Sequence, residues 1–286
     1  MTKKSILITG ASRGIGKLTA LELAREGHRV YAGMRDIKGR NTEAADEMMA
    51  LADSESLSLA VVDLDVRNDS AIKRTVDQIS ADGPLDVLIN NAGSMYVGVS
   101  EAFTQDQARE QFDLNFFAVL ELCRAVLPGM RARGSGLIVT LSSAAGRIVV
   151  PYFGLYCASK FALEAYLESC AYELEGTGVQ MAIVEPSGHK TDLVDDAPAP
   201  NDSARADTYG DKASVPGALL DGFRSFFEAD PMLSDPGNVA RCIVDLVGAE
   251  GPVPLRTAVG QDMGVMAVNQ ASEAVQQHLL ESFGMR

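Results

Sequence analysis

Seven short apolar runs rich in β-branched residues punctuate the chain, at residues 5–9, 30–33, 57–63, 87–90, 137–141, 181–185 and 257–260. Between them apolar positions recur with helical spacing, most clearly over 16–26, 71–79, 107–127 and 159–174. Strands that alternate with helices predict right-handed βαβ units and a parallel sheet. At 137–139 and 183–184 successive residues are apolar, the pattern of strands buried on both faces. The pattern thus predicts an α/β, doubly wound parallel sheet of about seven strands, flanked by helices on both faces. Thr104 and Gln107 stand at capping-box spacing, and Asn68 or Asp69 can cap the helix after the third strand.

Two segments depart from this rhythm. Residues 194–216 are rich in Asp, Ala, Pro and Ser without periodicity, which predicts a lid or a disordered loop. Residues 265–283 return to helical spacing, with Val265, Val268, Val275, Leu279 and Phe283 on roughly one face, and are expected to dock. The even composition, 47% hydrophobic over 286 residues, predicts a single domain over 1–286. Within it, 187–236 is expected to form a substrate-binding loop or lid and 262–286 a helical tail.

Composition narrows the function. No run nears the roughly 20 apolar residues of a membrane span. The basic start at Lys3 and Lys4 leads into a strand rather than a secretory apolar stretch, so a cytoplasmic protein without a membrane partner is expected. Cys123, Cys157, Cys170 and Cys242 are scattered and the chain has three histidines, so no metal site is expected and the thiols are read as free. A net charge of −14 argues against nucleic acid, and it requires that any anionic ligand be held by local positive charge.

The first strand runs into Thr9, Gly10, Ala11, Ser12, Arg13, Gly14, Ile15 and Gly16, and then a helix. Glycines let a backbone turn sharply and approach a pyrophosphate too closely for any Cβ, and the helix start offers unpaired N–H groups to the phosphates. The spacing G-x-x-x-G-x-G resembles the short-chain dehydrogenase/reductase family. Further motifs of that family follow in order: Asp63-Leu64-Asp65-Val66, Asn90-Asn91-Ala92-Gly93, Leu141-Ser142-Ser143, and Tyr156 with Lys160. The resemblance is strong over residues 5–192. It implies a single Rossmann-type domain that binds a nicotinamide dinucleotide through Gly10, Ser12, Arg13, Gly14, Ile15 and Gly16. It also implies cofactor contacts from Asp63 and Leu64 at the adenine, from Asn91, Ala92 and Gly93, and from Tyr156, Lys160, Pro186 and Thr191.

Tyr156 and Lys160, four residues apart, share one face of a helix. A phenol has a pKa of about 10, and a nearby ammonium is expected to lower it until the phenol serves as a base near neutral pH. Tyr156 would take the proton of an alcohol as hydride leaves, or give a proton to a ketone. Ser143, thirteen residues before Tyr156, stands at the family's spacing for the catalytic serine and is preferred to Ser142. Its hydroxyl would bind the substrate oxygen. The resemblance makes Asn115 the water anchor of a proton relay through Lys160, which also holds the nicotinamide ribose. The catalytic set is then Asn115, Ser143, Tyr156 and Lys160, with no metal.

At the tip of the second strand the family's acidic position is Met34, followed by Arg35, which could pair with a 2′-phosphate. With Arg13 this predicts NADP(H) as the preferred cofactor. NAD(H) stays possible, with Asp36 as the ribose acceptor. Ser187 stands where the family usually has glycine, between Pro186 and Thr191. By resemblance the substrate pocket takes Met95, Tyr96, Arg147, Tyr152, Phe153, His189 and Leu193, with Phe226 and Phe227 under the lid. That lining suits a medium-sized hydrophobic secondary alcohol, ketone or aldehyde. Arg147 is either a partner for an anionic group or a solvated surface arginine. The resemblance also implies a homodimer or homotetramer built through the helices carrying Asn115 and Tyr156. A cofactor-binding sensor with little turnover is the alternative function.

Overall fold

The computed structural model describes residues 2–285. Seven parallel strands form one sheet: β1 (Ser5–Thr9), β2 (Arg29–Met34), β3 (Leu59–Asp63), β4 (Val87–Asn90), β5 (Gly136–Leu141), β6 (Val179–Pro186) and β7 (Arg256–Val259). Their order is β3-β2-β1-β4-β5-β6-β7. The doubly wound sheet expected from the hydrophobic pattern is therefore present.

Strand residues alternate between two apolar layers. Ile6, Ile8, Ile89, Val139 and Val184 face one layer, against α1 (Gly14–Arg25), α2 (Thr42–Ser54) and α9 (Gly237–Gly248). Leu7, Leu88, Ile138 and Ile183 face the other, against α3 (Asp69–Asp82), α5 (Ala118–Arg133) and α6 (Gly154–Glu173). A period of two with both sets apolar is what makes the runs continuous in sequence. A third cluster, with Met95, Phe153, Tyr156, Val194 and Phe227, sits at the carboxyl ends of the strands and reaches α8 (Val215–Ala229).

Several expectations shift. Asn68 is the cap of α3, accepting from the Ala71 N–H at 3.0 Å. The capping box of Thr104 and Gln107 starts α4 (Gln105–Phe112). The single helix expected over 107–127 is divided by a wider turn at Asp113–Phe117, where bonds run from residue i to i+5, before α5 begins. The segment 194–216 is ordered by polar contacts. Asp202 caps the short α7 (Ser203–Asp207), Arg205 pairs with Glu101 at 2.9 Å, and the Tyr209 hydroxyl donates to Glu101 at 2.6 Å. The tail forms α10 (Val265–Ser282), but it docks by a different face than its apolar spacing predicts. Val265 and Leu280 are buried, whereas Val275, Leu279 and Phe283 are exposed. Among the described residues no helix is long and apolar enough to cross a membrane.

Ile138 is fully buried in β5, an interior strand of the sheet. Ile138→Ala should cost about 2–5 kcal/mol. A urea titration should show a lower midpoint at unchanged slope.

Candidate active site

The strands' carboxyl ends open on a cleft of about 430 Å³. At its centre the turn after β1 passes very close to the segment after β4. Gly10 has φ of +67°, and a Cβ there would lie 2.9 Å from the Ala92 Cα. At Gly16 a Cβ would lie 2.4 Å from the Asn91 Nδ2. The helix α1 starts at Gly14 with no side-chain cap on its first turn, so its free N–H groups and positive dipole end face the cleft. Ser12, Arg13, Gly14 and Ile15 line one wall, and Asn91, Ala92 and Gly93 the other. These residues fit a pyrophosphate.

Arg35 lines the outer end, joined by Arg40 and Asn41, whose sequence signal was only the further basic residues, Lys38 and Arg40, in the turn after β2. Met34 is buried at the strand tip. Asp36 is consumed by its own turn, its carboxylate accepting the Arg40 N–H at 2.9 Å. Leu64 lines the cleft as expected, but Asp63 does not. Its carboxylate accepts the Asp36 N–H at 2.9 Å, and Asp65 and Arg67, paired at 3.3 Å, face the cleft instead. Arg13 is already committed, pairing with Asp192 at 3.2 Å and with Asp196.

The inner end gathers Ser143, Tyr156, Lys160, Pro186 and Thr191. Ser143 ends the stretch after β5 and caps the turn Ala144–Gly146, accepting the Ala145 N–H at 3.1 Å. Its hydroxyl also donates to the Pro186 carbonyl at 3.5 Å. Tyr156 lies in the first turn of α6 and Lys160 one turn on. The Lys160 ammonium donates to the Leu141 carbonyl at 2.8 Å and lies 6.0 Å from the Tyr156 ring centre.

The electrostatics differ from expectation. Burial pushes the phenol of Tyr156 up to about 12, with the Ser143 hydroxyl acting against it. Burial also pushes Lys160 down to about 8, opposed by the charge of Glu164. Desolvation is thus the largest influence on both groups, in place of the lowering of the phenol by the ammonium that the sequence suggested.

Asn115 does not line the cleft. In the wide turn between α4 and α5 its amide accepts from the Ser94 N–H at 3.0 Å and donates to the Ser94 carbonyl at 3.0 Å and the Ser159 hydroxyl at 3.1 Å. Its side chain ties the segment after β4 to the start of α6. Ser187 donates its N–H to the Val259 carbonyl at 2.9 Å and turns its hydroxyl toward Gly260.

On the substrate side Met95, Phe153, His189 and Leu193 line the cleft as expected, and Val150 and Phe223 were missed. Burial pushes the His189 imidazole below its ordinary value, and its Nδ1 lies 3.1 Å from the Ser187 carbonyl. Tyr96 turns away and donates to Glu110 at 2.9 Å. Tyr152, Phe226 and Phe227 do not line the cleft, although both phenylalanines pack in the apolar cluster behind it. Arg147 is neither a substrate ligand nor solvated. Its side chain is 12% exposed and enters a buried ion cluster.

Residues 4–202 match the family model of the short chain dehydrogenases. A 3-ketodihydrosphingosine reductase of Bacteroides thetaiotaomicron is 33% identical over 95% of this chain and 93% of its own length. A retinol dehydrogenase 8 of Bos taurus is 34% identical over 88% of this chain and 80% of its own. The crystal structure of a short-chain dehydrogenase from Streptomyces avermitilis superposes with a TM-score of 0.76 at 30% identity, covering 99% of this chain and 97% of that one. With its seven-stranded parallel sheet, glycine cradle and Tyr–Lys pair, the chain belongs to the short-chain dehydrogenase family of oxidoreductases.

Proposed function

We propose that the protein reduces a ketone on a medium-sized or long apolar body to the secondary alcohol, with NADPH as hydride donor. The observation that carries this reading is the Tyr156 phenol, buried in the cleft with Ser143 and Lys160 beside an apolar wall. NADPH, when bound, supplies the hydride. The Ser143 hydroxyl donates to the carbonyl oxygen and stabilises the charge that develops there. Tyr156 delivers its proton to that oxygen. Lys160 neighbours the phenol and holds the ribose hydroxyls. Asn115 positions Ser94 and the start of α6. The first turn of α1 takes the pyrophosphate, and Arg35 with Arg40 takes the 2′-phosphate.

Met95, Val150, Phe153, Leu193, Val194 and Phe223 give the substrate end an apolar lining. Such a lining selects an uncharged chain or ring system. The names of the two relatives, a ketosphingoid reductase and a retinol dehydrogenase, support the same choice. Segment 187–236, which contains α8, serves as the lid. Exposed Phe117 and Phe161, at the start of α5 and on α6, support a dimer or tetramer formed through those helices. The four free cysteines suit the reducing cytoplasm.

The test is the loss of nicotinamide absorbance with a panel of apolar ketones, using NADPH and NADH in parallel. Tyr156→Phe should lose about 100-fold or more in turnover and keep its NADPH affinity. Arg35→Ala should raise KM for NADPH and leave that for NADH nearly unchanged. Tight NADPH binding without turnover of any carbonyl, and no effect of Tyr156→Phe, would make the protein a cofactor sensor instead.

Lys160 gives a second check. Below about pH 8 the fold carries this desolvated charge, and the penalty fades as pH rises toward the ordinary lysine value. Lys160→Met should therefore abolish turnover yet be more stable at pH 7, by about 1–3 kcal/mol. Thermal melts at pH 7 would read this, and a lower midpoint would show that the bond to Leu141 outweighs the burial.

A further inference from the structure

Behind Ser143 lies a cluster of charges that the proposed reaction does not use. Arg256 of β7 pairs with Glu164 at 3.0 Å and Glu168 at 2.8 Å, both on α6, and approaches Glu185 of β6 at 3.5 Å. Arg147, which ends the turn begun by Ser143, stands 4.0 Å from Glu185. The Glu185 side chain is fully buried, and the Arg147 and Arg256 side chains nearly so. One neutral side chain completes the set. Asn269, on the second turn of α10, accepts from the Arg147 Nε at 2.6 Å and donates to the Glu185 Oε2 at 2.6 Å.

The two partners of Asn269 sit next to the two halves of the chemical end. Arg147 is joined to Ser143 through a single tight turn, in which Gly146 N–H donates to Ser143 at 2.8 Å and Arg147 N–H to Ala144 at 3.0 Å. Glu185 directly precedes Pro186, whose carbonyl accepts the Ser143 hydroxyl at 3.5 Å, and Ser187. An amide has one acceptor and one donor end, so Asn269 alone can satisfy a guanidinium and a carboxylate at once without adding charge. This also accounts for the docking face of α10. The helix turns its polar Asn269 inward and leaves Val275, Leu279 and Phe283 outside.

We propose that Asn269 is a positioning residue, a clamp through which the C-terminal helix fixes the Ser143 turn against the Pro186–Ser187 strand end. The clamp deepens the catalytic reading and rests on it for its effect on rate. Its mechanical part does not depend on that reading. Guanidinium and carboxylate are close enough to collapse onto each other, and the inserted amide sets their spacing. The turn carrying the serine hydroxyl is thereby held at one distance from the phenol.

The test compares wild type, Asn269→Ala, Asn269→Gln and Leu280→Ala. Leu280 is the buried anchor near the far end of the same helix, about three helical turns beyond Asn269, so it reports docking alone. In Asn269→Ala, kcat for ketone reduction should fall about 10- to 100-fold, with KM and the NADPH dissociation constant within about twofold. Hydrogen exchange should quicken at both 144–148 and 185–188. Asn269→Gln should recover part of both, and Leu280→Ala should lower Tm without either. An unchanged kcat in Asn269→Ala, or an equal loss in Leu280→Ala, overturns the clamp. If the wild type reduces no carbonyl, the catalytic reading fails and the exchange data alone decide. Faster exchange in both segments then supports the clamp, and a change confined to α10 overturns it.

Discussion

The carboxyl ends of β1 and β4 are neighbours in the sheet, yet the chain leaves them in opposite directions, and the seam between them is held by Thr9 and Asn91. The Asn91 amide donates to the Thr9 carbonyl at 2.8 Å and the Gly10 carbonyl at 3.1 Å. The Thr9 hydroxyl accepts from the Asn91 and Ala92 N–H groups, each at 3.1 Å. A parallel ladder cannot supply these bonds past the strand ends, and unpaired buried amides would be costly. Once side chains take over the pairing, the crevice can open without orphaning the backbone, and the glycine turn is pressed against Asn91. The start of α1, and so the anion-binding end of the cleft, follows from that seam.

The chemical end is built on the same economy of polar atoms. Asn115 spends its amide on Ser94 and Ser159, and Lys160 spends a proton on Leu141. The wide turn at Asp113–Phe117 is the local distortion that lets Asn115 reach inward from a helix that would otherwise carry it past. Each of these bonds keeps a polar group dry and fixed. The same dryness pushes Tyr156 up and Lys160 down. Burial therefore both aligns the pair and moves the two groups toward their neutral forms.

Much of this was legible in the chain because it depends on local spacing. The strands follow from continuous apolar runs, and the cradle follows from glycines placed where no Cβ fits. Tyr156 and Lys160 meet because four residues make about one helical turn. What escaped depends on partners distant in sequence. Asp63 and Asp65 are both acidic at a strand end, and only the turn at Asp36, which needs an acceptor, decides which of them leaves the cleft. Arg147 reads as a surface or substrate-binding residue until Glu185 and Asn269 are brought to it from 38 and 122 positions away. The tail's apolar spacing predicts the wrong docking face because Asn269 turns inward to bond Arg147 and Glu185, which leaves Val275, Leu279 and Phe283 outside.

The strongly acidic composition sharpens what the arginines can do. With a net charge of −14, the whole molecule repels a phosphorylated dinucleotide at long range, and attraction must come from within a Debye length of the cleft. Arg13, the basic residue nearest the pyrophosphate cradle, is already neutralised by Asp192 and Asp196 from the segment after β6. Its pairing ties the glycine turn to the opposite wall, so its guanidinium cannot serve a phosphate without releasing that wall. Arg67 is likewise shared with Asp65. In the proposed reading, discrimination between a ribose and its 2′-phosphate therefore falls to Arg35 and Arg40 at the exposed rim. Exposed charges are screened by salt, so in the proposed reading the preference for NADPH over NADH is an ionic-strength-dependent property of two side chains, whereas the chemistry at Tyr156 is shielded from salt by burial.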